Sequence, residues 1–508
     1  MRSVLKVLIL AALCLASTSV ALAATEVKMT GDVLTYGMYA PNKNFTGWNT
    51  GYWTSSGYVR PGTQTEEQFE IWERCRLRSD FVASEAVKFR LGLKVEDTWG
   101  HGTYTAANPS AGITTTSGSS VTSGVQVYLA YLQFKVPNTD IQVTAGLQPL
   151  SLPGTSFFGS SVVFGGDNAT AAAAHISVPV IDDRLSLGFG MARLLDAYQT
   201  FNPSSSTKTK HFADECDVYY LLVPITLDGF KATPWAAIAS AGLYAGYFTQ
   251  SAYGTSDMGD NLVSAGALLS SPAWRSQMNA YFWSGTTLEV TACDPIRFYA
   301  DVVYGQGAMA DAQKNHRQGW FIDLGAEYTG LDMVTPQVFG WWSTGEDGST
   351  RNGSERMPIA VSGWGPGNSF LFDSTQEFGK SGSVGVTPVG NWGLGASLDK
   401  ISFIEKLTNR LTFTYVHGNN SARALRYLNN LIGSNPYYTM GHDLTNNEYL
   451  VGLNLDTKYM IYDNLAFIVE TGWATGCFQK SVWGRRLVNL ANDNGGTYKV
   501  AFGLKYTF

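Results

Sequence analysis

The segment Tyr498-Lys499-Val500-Ala501-Phe502-Gly503-Leu504-Lys505-Tyr506-Thr507-Phe508 decides the fold class. Tyr498, Val500, Phe502, Leu504, Tyr506 and Phe508 share one face, and Lys499, Ala501, Gly503, Lys505 and Thr507 share the other. Period two marks a strand with one face against an apolar medium and the other against polar surroundings or close packing. Aromatic residues at both ends of the apolar face, with aliphatics between, are expected where a lipid-facing band is bounded by two aromatic girdles.

The same grammar recurs along the chain. Alternating stretches of about ten residues are joined by short turns at 82–85, 137–140, 181–184, 228–229, 294–295, 329–332, 404–408 and 462–464. Longer polar or Gly-rich connections at 41–65, 97–122, 148–168, 196–212, 243–275, 306–317, 345–390, 419–445 and 477–495 separate these pairs. Short and long connections alternate throughout, as in an all-β, antiparallel up-and-down transmembrane barrel with short periplasmic turns and long extracellular loops. The expected strand number is about 18, with about 16 the nearest alternative.

Composition agrees. Only 15% of the 508 residues are charged, 13% are aromatic and 54 are Gly, which suits strands and turns better than helices. The aromatic content excludes a disordered chain. The net charge of −6 excludes a protein that coats nucleic acid, because phosphate neutralisation needs a surplus of Lys and Arg. A mean hydropathy of −0.06 is the average expected of a wall with one apolar and one wet face.

Arg2 and Lys6, an apolar stretch over 7–15, and the pattern Ala21-Leu22-Ala23 before Ala24 read as a cleaved secretory signal peptide over 1–23. Its removal takes two of the 35 basic residues and none of the 41 acidic ones, leaving a net charge of −8. No later run of apolar residues is long enough for a membrane helix, so the exported segment 24–508 reads as one barrel. The expected location is the outer membrane of a Gram-negative cell.

The second strand tells which face is wet. Glu66, Gln68, Glu70, Trp72, Arg74, Arg76 and Arg78 share one face, and Phe69, Ile71, Cys75, Leu77 and Phe81 the other. An Arg on the lipid side at the bilayer midplane costs about 2–4 kcal/mol, so the arginines must face the lumen. The next strand repeats the pattern, with Lys88, Arg90 and Lys94 inward. Barrels of this size enclose an aqueous channel, and a lumenal ladder of cations sets a field across it. Glu73 is a misfit on the lipid face, explained either by a neighbouring subunit or by a bulge that flips the register.

These features resemble the trimeric outer-membrane porins, most closely the homotrimeric porins of sulfate-reducing bacteria. The stretches that carry the resemblance are EVKMTGDV from Glu26, WERCRLRSDFVASEAVKFRLGLKVEDTWG from Trp72, VTAGLQPLSLPG from Val143, DPIRFYADVVYG from Asp294, GSERMP from Gly353 and the terminal KVAFGLKYTF. The resemblance implies a homotrimer. It also implies that the loop over 148–168 folds into the barrel opposite a wall of Arg74, Arg76, Arg78, Lys88 and Arg90. That loop carries a single acid, Asp167, where porin constriction loops often carry several, which leans the selectivity toward anions. Gly503, Tyr506 and the terminal Phe508 resemble the signal read by the barrel-assembly machinery, and outer-membrane lipid and lipopolysaccharide are the other expected partners.

Other chemistry finds little support. The six histidines (His101, His175, His211, His316, His417 and His442) include no i,i+4 pair of the kind that holds zinc. A hydrolase in the barrel wall would need a serine and a histidine facing lipid, and only His175 and His417 lie on expected strands. The acidic pairs Asp257 with Asp260 and Glu346 with Asp347 offer oxygen ligands for a structural Ca²⁺ in the loops but lack an EF-hand spacing. No cofactor is expected. Cys75, Cys216, Cys293 and Cys477 fall on different strands or strand ends. The reading is a non-enzymatic porin for passive diffusion of small hydrophilic solutes and ions. The alternative is a substrate-selective channel for a sugar or an anion, with Trp72, Tyr131 and Tyr299 facing the lumen.

Overall fold

The computed structural model describes residues 26–42, 44–47, 52–54, 57–59, 69–98, 125–166, 169–196, 215–242, 262, 278–308, 313–349, 351–360, 363–366, 369–372, 377–378, 384–432 and 438–508. The leader over 1–23, Ala24, Asp167, Asp257 and Asp260 lie outside the described residues.

The alternating segments become strands β1 (Glu26–Tyr39), β2 (Phe69–Ser84), β3 (Val87–Thr98), β4 (Gln126–Lys135), β5 (Gln142–Pro149), β6 (Thr170–Ile181) and β7 (Leu185–Asp196). Strand β8 has two pieces (Glu215–Leu222 and Ile225–Leu227). It is followed by β9 (Phe230–Gly242), β10 (Met278–Val290), β11 (Ile296–Gly307), β12 (Arg317–Tyr328) and β13 (Thr335–Ser343). The last five are β14 (Asn391–Ile404), β15 (Leu407–Gly418), β16 (Tyr449–Tyr462), β17 (Leu465–Cys477) and β18 (Thr497–Thr507). Both pieces of β8 pair with β7 and β9. The break falls at Pro224, which has no N–H for the ladder. Its carbonyl still accepts from Ser186 N at 3.1 Å.

Every strand runs antiparallel to its sequence neighbours, and β1 pairs with both β2 and β18, so the sheet closes as an 18-strand barrel. At the seam, Gly31 N donates to Phe508 O at 2.8 Å and Phe508 N returns a bond to Gly31 O at 3.1 Å. Short connections at 85–86, 136–141, 182–184, 228–229, 291–295, 329–334, 405–406 and 463–464 gather at one end, and the longer ones at the other. Among the described residues, three helices occupy long connections that the sequence pattern treats as loop: α1 (Ala422–Ile432), α2 (Lys480–Trp483) and α3 (Arg485–Asn494). They are legible only afterwards, because a helix of this length owes its stability to the surface it packs on, as α3 does with Val488 and Ala491.

The exterior is the apolar face foreseen from alternation. Val33, Leu324, Val338, Leu394, Phe413, Leu453, Phe502 and Leu504 all point outward and are exposed. Tyr39, Phe69, Trp320, Trp342, Tyr449, Trp473 and Tyr498 ring the loop end, and Phe81, Phe298, Tyr328, Tyr459, Tyr506 and Phe508 ring the turn end. A closed barrel with this girdled exterior sits in an outer membrane. Glu73 stays on the outer face. Its pairing with Thr35 is unbroken, and the register shift between β2 and β3 falls between Val82 and Ser84, so no bulge turns it inward.

The interior departs from an open water-filled tube. Phe158, Phe321, Leu371, Val389, Val416 and Leu450 form part of a fully buried apolar cluster inside the barrel. It is built from inner faces along β6–β17 and chiefly from two connections, 150–169 and 344–390, with Phe45, Leu262, Met440, Leu444, Phe478 and Val488 added from others. The sequence reading treats the second of these as an outer loop; it folds inward because its own apolar residues find a dry surface there.

Candidate functional site

One side of the lumen is a charged wall. The register of β1, β2 and β3 sets Arg76 between Asp32 and Lys94, Arg74 between Leu34 and Glu96, and Asp80 beside Arg90. Side chains on the inner face then meet as cross-strand pairs. Asp32 accepts from Arg76 Nε at 2.8 Å and from Arg74 Nη2 at 3.3 Å. Asp80 takes Arg90 with both oxygens, at 2.5 and 2.7 Å, and Arg90 also lies 5.9 Å from the Tyr131 ring centre. Lys94 donates to Glu96 at 2.7 Å, and Arg78 donates to the Tyr128 hydroxyl at 3.1 Å. All of the wall residues expected from sequence thus share the inner face of two adjacent strands. What sequence missed is the interleaved acids: the ladder is a lattice of both signs, in which Arg78 and Lys88 have no carboxylate at ion-pair distance among the described residues.

The first inward connection crosses from β5 to the opposite wall. A short 3₁₀ turn, Ser156–Phe158, carries its tip. Thr155 donates through both its backbone N–H and its hydroxyl to Asp301 Oδ2, each at 3.0 Å, fixing the tip to β11. Phe157 stacks on Tyr299 with ring centres 5.0 Å apart. A Cβ on Gly325 of β12 would come within 2.6 Å of the Phe157 ring, so that close approach needs glycine there.

The described parts of the second connection, 344–390, form a strap across the lumen. Trp364 stacks on Phe158 at 5.5 Å and donates its indole N–H to Asp323 Oδ2 at 2.6 Å. Beyond it, Phe370 N donates to Asn454 Oδ1 on β16 at 3.2 Å, and Glu377 N to Glu470 Oε1 on β17 at 2.8 Å. The tip reaches β1 and β18, where Phe378 stacks on Tyr36 at 4.6 Å and Lys505 donates to Glu377 at 2.5 Å. Glu377 is therefore an acid delivered to the neighbourhood of the basic wall by a loop that sequence placed outside. The cluster Trp364, Phe370, Leu371 and Phe372 within a long connection was the available signal, since exposed loops rarely hold so many large apolar residues.

The outer ends of the loops are stapled. Arg356 in the strap and Asp443 in the connection after α1 form a buried ion pair at 2.9 Å, and His442 Nδ1 lies 3.0 Å from the other Asp443 oxygen. Burial pushes the Asp443 carboxyl up, but His442 and Arg356 outweigh it and hold the group at about 2. Glu448 accepts from Gln479 N at 2.6 Å and Trp483 Nε1 at 2.7 Å, tying the connection after β15 to α2. Its carboxyl is raised by burial despite these bonds.

Other candidate residues are dispersed. Trp72 donates to Glu70 at 2.8 Å, Tyr131 lies under Arg90, and Tyr299 is covered by Phe157 on the far wall, so the three do not form a continuous aromatic line. His175 stacks on Tyr220, while His417 stacks on Trp392 and bonds the Gly418 carbonyl. Cys75, Cys216, Cys293 and Cys477 are all unpaired. Glu346 accepts from Tyr438 and Ser354, and Asp347 from Asn352. No group of three or more potential metal ligands occurs among the described residues. Gly503 faces inward against Tyr36, and Tyr506 and Phe508 stack on each other at 5.7 Å on the outer face.

No protein-family model matches the chain, and no curated protein matches it. Among solved structures it is similar to OccK11 (OpdR) of Pseudomonas aeruginosa, at 8% identity and a TM-score of 0.48, over 95% of this chain and 96% of that one. It is similar to a BenF-like porin from Pseudomonas fluorescens Pf-5, at 10% identity and a TM-score of 0.48, over 95% and 98% of the two chains. It is also similar to OccAB4 of Acinetobacter baumannii, at 8% identity and a TM-score of 0.47, over 96% and 99%.

Proposed function

We propose that the chain is an outer-membrane porin in which small hydrophilic solutes and ions diffuse passively between the charged wall of β2 and β3 and the two inward connections. The observation that carries this reading is the asymmetry of the interior. One wall keeps a continuous stripe of ion-paired, partly accessible side chains, whereas the opposite wall is packed with apolar loop residues and carries separate pairs, Arg297 with Glu327 and Arg410 with Asp399, toward its turn end. A barrel whose interior served only stability would have no use for a half-buried stripe of charge. Six cations (Arg74, Arg76, Arg78, Lys88, Arg90, Lys94) against the strand acids Asp32, Glu70, Asp80 and Glu96 and the strap's Glu377 favour a weak anion preference. Asp167, at the end of the first inward connection, belongs to the same proposed constriction.

Reconstitution into planar bilayers tests the reading. Ion conductance without added energy is expected, with a reversal potential in a salt gradient on the anion side; absence of conductance from a heat-modifiable, folded barrel rejects it. The two-loop narrowing favours a second reading, a channel selective for one class of solute. Current that saturates or is blocked by a particular anion or sugar would establish that reading instead. The homotrimer, the contact with lipopolysaccharide, and recognition of Gly503, Tyr506 and Phe508 by the assembly machinery are part of the same proposal. The outward carboxylate of Glu73 is where a neighbouring subunit would supply a donor.

A further inference from the structure

We infer that Asp301 and Asp323 form one anchor for both inward connections, so that the two loops hold or release together and the passage has a composite gate rather than a single constriction loop. The inference rests on the channel reading for its consequence but not for its geometry. Asp301 on β11 and Asp323 on β12 are opposite each other in register, both buried on the inner face. Asp301 Oδ2 receives both Thr155 donors of the first connection. Asp323 Oδ2 receives the Trp364 indole of the strap, and its Oδ1 accepts from the backbone N–H of Asp301 at 2.9 Å. A single cross-strand pair of carboxylates therefore terminates hydrogen bonds from two segments far apart in sequence.

The segments also bind each other above that pair. Phe158 and Trp364 stack, Gly365 N donates to Phe158 O at 2.9 Å, and Ala360 N donates to Val163 O at 2.9 Å. Loss of the Asp301 acceptor would leave two buried donors of Thr155 unsatisfied, which is the costly way to break a hydrogen bond. The loop tip must then move to find other partners, and it carries Phe158 out from under Trp364. Asp301 and Asp323 are thus positioning residues: neither needs to touch a permeant to set the width of the passage.

Hydrogen exchange read by mass spectrometry on the full barrel in detergent tests this directly. Asp301→Ala removes bonds only to the first connection, yet faster exchange is expected in both 152–165 and 358–372, by about tenfold or more. Asp301→Asn keeps an acceptor oxygen toward Thr155 and should restore protection in both segments. Trp364→Phe provides the converse, loosening 152–165 from the strap side. Acceleration confined to the segment whose bond was cut, in a barrel that keeps its heat-modifiable mobility, overturns the inference. Conductance of the same proteins separates the two readings. An increase on the order of twofold in Asp301→Ala links the anchor to pore width, whereas a non-conducting wild-type barrel rejects the channel and leaves the exchange result to judge the anchor.

Discussion

Asp32 on β1 lies opposite Arg76 on β2 and binds its Nε at 2.8 Å while holding Arg74 with its second oxygen. One carboxylate thus restrains two of the cations expected to face the lumen. The pairing gives selectivity a direction that can be reversed in either sense. Replacing Arg74, Arg76 and Arg78 by Ser should move the reversal potential toward cations, and Asp32→Asn should move it toward anions by removing a negative charge from the wall. Measurement in a potassium chloride gradient checks both; a triple variant with unchanged selectivity would reject a role for the wall.

Arg356 and Asp443 are both almost wholly buried, so removing the arginine strips the Asp443 carboxylate of its buried cation and leaves it to His442 and the Thr439 N–H. Arg356→Met should destabilise the loop assembly by about 3–5 kcal/mol. The expected readout is a lower temperature for protease nicking of the 344–390 and 419–448 connections, with the barrel itself still resistant to SDS at room temperature.

The same carboxyl predicts a pH dependence. Held at about 2 in the fold against an ordinary 3.8, Asp443 contributes about 2 kcal/mol at pH values above 3.8. That contribution declines below pH 3.8 and is lost as the pH falls through 2, because the carboxyl is then protonated in the folded and unfolded chain alike. Protection of the 438–448 amides from exchange should decline over this interval in the wild type and be absent throughout in Asp443→Asn.

Gly31 sits under the terminal ring at the seam. A Cβ there would come within 2.5 Å of both the Arg76 carbonyl oxygen and the Phe508 ring, and the former belongs to backbone that cannot rotate away. Gly31→Val should cost about 4 kcal/mol or more and reduce the folded, heat-modifiable band. Equal folded yield for Gly31→Val and wild type would contradict this account of closure.

The lipid face makes its own prediction. Leu324 on β12 is exposed on the exterior between Asp323 and Gly325, which face inward. Leu324→Arg should lower stability in lipid vesicles by roughly 2–4 kcal/mol if the site is near the midplane. Urea titration in vesicles measures it, and a neutral result would place Leu324 outside the apolar band.

How much was legible in the sequence follows from which interactions are local. Barrel strands must alternate because lipid and lumen lie on opposite sides of a single sheet. The alternation in β2, β3 and β18 therefore revealed the exterior and the inward direction of Arg74, Arg76, Arg78, Lys88, Arg90 and Lys94, and its recurrence along the chain the turns and an approximate strand number, without any knowledge of tertiary contacts. The acids that pair with them were in plain view at Asp32, Asp80 and Glu96, but pairing depends on register between strands, which alternation does not specify.

The strap was not legible from periodicity. Residues 344–390 have no period, and a stretch without a period reads as outer loop whether it waves in water or lies inside the barrel. Its place is decided by bonds to strands distant in the chain: Trp364 to Asp323, Phe370 to Asn454, Glu377 to Glu470. Alternation alone dictates a wall with a wet face and a lipid face, because a two-residue period is a local property that one environment on each side enforces. How much of the wet face stays open is set by long-range contacts, because it depends on which buried donors and acceptors a loop can satisfy across the lumen.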